Sequence, residues 1–256
     1  MTPDWTPLDR ELDRWSAAGL TLPFWWRDDD AVAPTAALGT LAALSDLTGI
    51  PVHLAVIPAH VSPALADLLA TQHNLIPVVH GWAHENHAPE GQKKAEFGAH
   101  RPLPEMAAQA RDGLDRLRAL FGAALRPMFV PPWNRIAPEM IQTLPALGYR
   151  MISTFTPRQA TVAAPGLVRI NTHLDPIDWR GSRSLADPDR LIAQMAQQLA
   201  DRREGRADAA EPYGLLTHHL VHDAAIRDFT AALLTRLRAG PVRLWTAPPE
   251  TEDLTQ

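Results

Sequence analysis

Short apolar runs alternate with longer helical patterns along almost the whole chain, and this rhythm restricts the fold more than any other feature of the sequence. The runs are Pro23–Trp26, Ile50–Ile57, Leu75–Val79, Arg126–Val130, Arg150–Phe155, Leu167–Ile170, Tyr213–Leu216 and Val242–Trp245. Between them lie Ala36–Leu47, Pro104–Phe121, Pro138–Leu147, Asp187–Arg203 and Ala224–Arg238. In Ala36–Leu47 the residues Leu38, Leu41, Leu44 and Leu47 recur at the spacing of one helix face. Prolines at or near several helix starts (Pro34, Pro63, Pro104, Pro138, Pro188) fit the first turn, where no amide donor is needed. Such strand–helix repetition favours a parallel sheet with helices outside. Seven or eight units suit a (β/α) barrel better than an open doubly wound sheet, within a single domain.

Flanking pieces are expected at both ends. Leu8, Leu12 and Trp15 mark a helical extension over 1–22, the barrel spans 23–246, and 247–256 reads as a polar, Pro-rich tail. The start of the chain shows no basic stretch leading into an apolar one, and no run approaches a membrane span, so the expectation is a cytoplasmic protein. A net charge of −5 gives no electrostatic footprint for nucleic acid or an anionic membrane. The absence of cysteine excludes disulfides, thiolate metal sites and a cysteine nucleophile.

In parallel α/β folds ligands bind where strands end and loops to the next helices gather. Five of the apolar runs lead directly into reactive side chains. Arg27-Asp28-Asp29-Asp30 follows the first, and His80-Gly81-Trp82-Ala83-His84-Glu85-Asn86-His87 follows the third. Pro131-Pro132-Trp133-Asn134-Arg135, Asn171 to Trp179, and Thr217 to Asp223 follow three others. Consecutive aspartates repel one another unless a cation is present. The triplet therefore reads either as an acidic turn capping a helix or as a metal ligand beside a general base. His80 and His84, four apart, can turn two ring nitrogens to one side and chelate an ion such as Zn, Co, Fe, Ni or Mn. His218 either closes its strand through a backbone hydrogen bond or serves as a general acid. Four of the eight tryptophans (Trp26, Trp82, Trp133, Trp179) sit in these segments, where they can stack on a sugar face or plug the barrel mouth. The connection Glu85–Arg101 is long enough for a lid or binding loop, and its Lys93 and Lys94 are either contacts for an anion or a solvated pair.

The order Asp-Asp, His-x-x-x-His, Pro-Pro-aromatic, Asp-x-x-Asp-Trp and Leu-x-His resembles the NodB-like polysaccharide deacetylases, carbohydrate esterase family 4. The matching segments are Trp26 to Asp30, His80 to His84, Val130 to Asn134, Asp175-Pro176-Ile177-Asp178-Trp179 and Leu216-Thr217-His218, spanning about Pro23 to Asp223. The resemblance implies a distorted (β/α) barrel with seven or eight parallel strands. It implies Asp28 as general base, Asp29, His80 and His84 as ligands of a divalent metal, most readily Zn, His218 as general acid and Asp175 as an orienting carboxylate. Trp82, His87, Pro131, Trp133, Asn134 and Trp179 are the expected substrate contacts. The implied activity is metal-dependent deacetylation or amide hydrolysis of an acylated sugar or small glycan. Hydrolysis of a cyclic imide or ureide, and a non-catalytic carbohydrate- or metal-binding protein, are the alternatives. Two departures stand out. Val130 occupies the place of the family's third-motif arginine, leaving Arg27 or Arg135 to replace it, and Asp30 occupies the place of a glycine, leaving the ligand register open by one residue.

Overall fold

The computed structural model describes residues Thr2 to Pro249. Most of the expected tail, from Glu250 onward, lies outside the described residues. The strands are β1 Leu22–Ala31, β2 Val52–Val56, β3 Leu75–His80, β4 Met128–Val130, β5 Met151–Ile152, β6 Val162–Ala164, β7 Leu167–Arg169, β8 Tyr213–Thr217 and β9 Val242–Leu244. The helices are α1 Thr6–Ala17, α2 Ala36–Thr48, α3 Pro63–Leu69, α4 Leu103–Phe121, α5 Pro138–Thr143, α6 Pro188–Arg203 and α7 Ala224–Ala239. Local chemistry sets their ends. Thr35 caps α2 by accepting from the Leu38 amide, and Gly49 at φ 65° stops it. Asp187 and Asp223 cap α6 and α7 in the same way.

Strand order is β6-β7-β5-β4-β3-β2-β1-β8, with β9 paired to the beginning of β1. Only β6 runs antiparallel to its neighbour; it is a short addition that the apolar pattern does not signal. The ring closes without a regular strand pair. The segment leaving β7 bridges Phe155 through Thr172 and Leu215 through Leu174. There the amides of His173 and Leu174 donate to the Gly214 carbonyl, and the Leu216 amide donates to Leu174. The result is a distorted barrel whose parallel strands are β1–β5, β7, β8 and β9.

Alternation along each strand splits the apolar residues into two sets. Trp25, Ala55, Val78, Met128, Val130, Met151 and Ile170 come from successive strands and fill the lumen together with Ala247. Phe24, Trp26, Leu54, Val56, Val79 and Phe129 face the helices in the larger core. α1 is part of that core: Trp5, Leu8, Leu12 and Trp15 are buried. Ala247, expected in a loose tail, is buried too, and its amide donates to His53 Nε2 at 2.9 Å. No helix of the described residues is long and apolar enough to cross a membrane.

A buried polar network holds the irregular closure. Glu211 accepts the amides of Asn171 and Arg158 at 3.1 and 3.0 Å, and its carboxylate meets His173 Nε2 at 3.1 Å. Burial alone would raise the Glu211 carboxyl; the His173 hydrogen bond, the His173 charge and the two amides outweigh it and hold it below the usual glutamate range. A depressed folded-state value means the stabilisation is present above the unfolded-state value and is lost as pH falls through the folded one. Glu211→Gln is therefore expected to lower unfolding free energy by about 3 kcal/mol near neutrality. Urea titrations should show the gap narrowing in acid, below the ordinary glutamate range; a gap that stays constant with pH would contradict this assignment.

Candidate metal centre and active site

β1 runs five residues beyond Trp26, so the acidic triplet belongs to the strand and not to the loop after it. Arg27 lies on the lumen side with Trp25, and Asp28 on the helix side with Trp26. Against β2 the register slips: Asp28 pairs with Leu54 but Ala31 with Val56, so three steps on β1 match two on β2. This is a β-bulge, with Asp30 at φ 76°, a left-handed conformation that Asp tolerates better than most residues. The three aspartates consequently reach three different surroundings.

Asp28 turns away from the mouth and is fully buried against His219, whose Nδ1 lies 2.5 Å from Asp28 Oδ1. Asp29 is gripped by Arg27, with Nε 2.9 Å from Oδ1 and Nη2 donating to Oδ2 at 3.0 Å. Asp30 meets both expected imidazoles: Oδ1 lies 3.1 Å from His80 Nε2 and 3.2 Å from His84 Nε2. The cluster that can hold an ion is therefore Asp30, His80 and His84, its ligand atoms all within 4.8 Å of one another. This differs by one residue from the set the resemblance implies, Asp29 with His80 and His84, and takes the other of the two registers that the sequence leaves open. Asp29 is drawn off by Arg27, and Asp28, one residue earlier, points to the opposite face of the strand.

The donor set suits a divalent cation: one carboxylate oxygen and two imidazole nitrogens. His80 Nδ1 donates to the Val130 carbonyl at 3.0 Å, which leaves the Nε2 lone pair facing the cluster. His84 sits at φ 59°, on a turn held by Glu96. That carboxylate is buried and accepts the amides of Ala83 at 2.7 Å and Trp82 at 3.1 Å. Gly81 is needed beneath it, since a Cβ there would come within 2.3 Å of Glu96 Oε2. Nothing in the sequence singles out Glu96 except its place between Ala95 and Phe97, which are buried as well. The same burial pins the Glu85–Arg101 connection, so this loop is anchored through Ala95–Phe97 to the core.

Val130 is in the lumen and carries no charge; Arg27 makes the ion pair to Asp29 from a different strand. Its other contacts fix the guanidinium, with Asn134 Oδ1 at 2.8 Å from Nη2 and Ser153 Oγ at 2.7 Å from Nη1. Arg135 is directed elsewhere, donating to the Lys94 carbonyl. Asn134 and Trp133, at φ 57° and 56°, occupy the left-handed region. That bend brings the Trp133 ring to 4.4 Å from His84 and the Asn134 amide oxygen to Arg27.

His218 completes the group, its Nε2 4.0 Å from Asp29 Oδ2. Trp179 packs edge-on against it at 4.8 Å and donates from Nε1 to Asp175 Oδ2 at 2.7 Å. Burial pushes the Asp175 carboxyl up, against the opposing pull of the nearby His218. Trp133 and Trp179 thus pack against His84 and His218 respectively. Trp82 packs on the helix-side core, Pro131 is buried and the His87 side chain is exposed, its amide bonded to Ala95. Among the described residues, none of these three side chains hydrogen-bonds or stacks with the ligand cluster.

No protein-family model matches this sequence, and no curated protein does. Solved structures do. A Mycobacterium smegmatis protein assigned to the polysaccharide deacetylases is 17% identical, with 89% of this chain and 87% of that one covered at a TM-score of 0.63. A family 4 carbohydrate esterase from Streptomyces lividans, solved with acetate, is 12% identical over 90% and 94% of the two chains, TM-score 0.57. A mutant of BA3943, a pseudoenzyme of the same family with restored activity, is 14% identical over 88% and 65%, TM-score 0.53. The chain therefore has the fold of the polysaccharide deacetylases. Because a pseudoenzyme shares that fold, activity has to be argued from the side chains.

Protons compete with a cation for this cluster. Burial alone would raise the Asp30 carboxyl, but the His80 hydrogen bond and the charges of His80, His218 and His84 hold it far below the carboxylate range. Burial lowers His80, yet Asp29 and Asp30 together outweigh it and raise this imidazole above its ordinary value. Burial and the neighbouring His80 lower His84. An ion needs both rings neutral. Chelator-competition titrations should show Zn²⁺ or Co²⁺ affinity falling about tenfold or more for each pH unit below the raised His80 value. An affinity independent of pH between about 5.5 and 7.5 would argue against ligation by His80.

Proposed function

We propose that this chain is a metal-dependent deacylase that hydrolyses an N-acyl or O-acyl group, with an acetylated sugar or small glycan as its substrate. The observation that carries this reading is the side-by-side arrangement of two carboxylates with different partners: Asp30 on His80 and His84, and Asp29 on Arg27. Binding alone requires only the first. The second, oriented and facing His218, is what acid–base chemistry adds.

Asp30, His80 and His84 would hold the divalent ion, Zn most readily and Co, Fe, Ni or Mn by the same donors. When bound, such an ion polarises an acyl carbonyl and lowers the pKa of water. Asp29 takes the proton from the attacking water as its oxygen bonds to the acyl carbon. The Arg27 fork, braced by Asn134 and Ser153, keeps the carboxylate aimed during that transfer. His218 delivers a proton to the leaving nitrogen or oxygen, without which an amide C–N bond does not break at useful rates. Asp175 stands close enough to attract the protonated His218 ring, an influence through charge. Trp133 and Trp179 offer flat faces on either side for a sugar ring. The cytoplasm, expected from the sequence, remains part of this proposal.

Arg27 also bears on the non-catalytic alternative. The loss of an arginine at Val130 favours that alternative, and the Arg27–Asp29 pair, made from β1, supports the catalytic one. Asp29→Asn is expected to keep its metal content and lose about 10²- to 10⁴-fold in kcat on an N-acetyl sugar. His218→Ala should lose most on the amide and far less on an aryl acetate, whose leaving group needs no proton. Equal losses on both substrates would remove the general-acid role. A panel that includes cyclic imides separates the deacetylase from hydrolysis of other C–N bonds. Full turnover in the presence of a chelator would refute the proposal as a whole.

A further inference from the structure

Asp28 is the acidic residue of the triplet that the chemistry leaves unused, and it is completely buried. A desolvated carboxylate persists only where donors surround it. Asp28 has His219 Nδ1 at 2.5 Å, the His219 amide at 3.0 Å and the Thr217 hydroxyl at 2.6 Å. Thr217 is itself oriented by Trp26 Nε1 at 2.8 Å. All of this lies on the helix side of the sheet. His219 lines a cavity of about 330 Å³ between α2 and α7, together with Leu41, His222 and Ala231. No substrate in the mouth can touch it.

The backbone explains why the pair is needed. The β1–β8 ladder ends at Asp28 opposite Thr217. On the other side, regular pairing with β2 is interrupted between Asp28 and Ala31. Asp29 and Asp30 therefore project from β1, and His218 from β8, just where the ladders have stopped. The one contact that ties the residue before Asp29 to the residue after His218 is the Asp28–His219 pair.

We infer that Asp28 and His219 form a positioning clamp which sets the distance between Asp29 and His218, the base and acid of the proposed reaction. The inference rests on that reading for its functional meaning, while its geometric content stands apart. The clamp acts as side-chain mortar where β1 and β8 no longer hydrogen-bond. Neither member is a catalytic residue, since neither faces the reacting groups.

The test uses the full-length chain with His219→Ala, which removes the ring, and His219→Asn, whose side-chain nitrogen replaces Nδ1 as donor to Asp28. Crystal structures of wild type and both variants give the His218 Nε2 to Asp29 Oδ2 separation, 4.0 Å here. The expected result is a widened separation in His219→Ala and its recovery in His219→Asn. On N-acetylglucosamine oligomers kcat should fall about tenfold to a hundredfold in His219→Ala, with KM and metal content unchanged, and should recover in His219→Asn. A His219→Ala structure with the 4.0 Å separation intact overturns the inference, as does a kcat loss that only follows the folded fraction. If His219→Ala does not fold, Thr217→Val removes a single arm of the clamp and is held to the same two readouts. Should the wild type hydrolyse no acyl compound, the deacylase reading falls, and the crystallographic separations still decide for or against the clamp.

Discussion

One extra residue in β1, between Asp28 and Ala31, determines what each acidic group of the site can do. In an unbroken strand, Asp28 and Asp30 would share one face and Asp29 the other. The bulge breaks that parity. It leaves Asp28 among the helices, keeps Asp29 on the lumen side beside Arg27, and swings Asp30 over to His80 and His84. Three adjacent like charges become tolerable because each acquires its own basic partner in a different part of the structure: His219 on the helix side, Arg27 in the lumen, and His80 with His84 at the mouth. A candidate cation cluster and an oriented carboxylate beside it both follow from this local change of register.

The conformations that support the arrangement are costly and concentrated. Asp30, His84, Trp133 and Asn134 all have positive φ, and each belongs to the site. Such residues cost roughly 1 kcal/mol or more apiece and persist where surrounding contacts over-determine them. Here the contacts are visible. Glu96 ties down the turn before His84, the Trp133 ring packs at a tilt against the His84 ring, and the Asn134 side chain engages Arg27. Below the rim, the lumen is packed with Trp25, Met128, Met151 and their neighbours, giving these loops a rigid base. The Glu211 network, at the irregular seam between β8 and the segment after β7, supports the side of the barrel that carries Asp175 and His218.

Much of this was legible in the amino-acid order. Every apolar run in the rhythm became a strand, and the helical segments between them formed, because burial on both faces and one-sided helix spacing are strong local signals. The four-residue separation of His80 and His84 signals that the two rings share one side, and the end of a core strand signals that His218 reaches the barrel mouth. The register of the aspartates was not legible. A bulge leaves no mark in hydrophobic periodicity, and three identical residues offer no contrast in type. The choice between Arg27 and Arg135 for the missing arginine is open in the sequence for a related reason: a run ending at Trp26 does not show that the strand continues, with alternating direction, through Arg27 to Ala31. Glu96 depended on a contact across thirteen residues, from Ala83, that no spacing rule encodes. β6 was too short and too exposed to register as apolar.

Asp30, and not either of its neighbours, is the carboxylate placed to share a cation with His80 and His84. Anomalous scattering from a crystal of the protein grown with Zn²⁺ or Co²⁺ tests it directly. The expected result is a single strong peak about 2.0–2.2 Å from an Asp30 carboxylate oxygen and from Nε2 of both histidines, with Asp29 still held by Arg27. A peak ligated by Asp29 or Asp28 instead, or no peak at His80 and His84 under saturating metal, would contradict it.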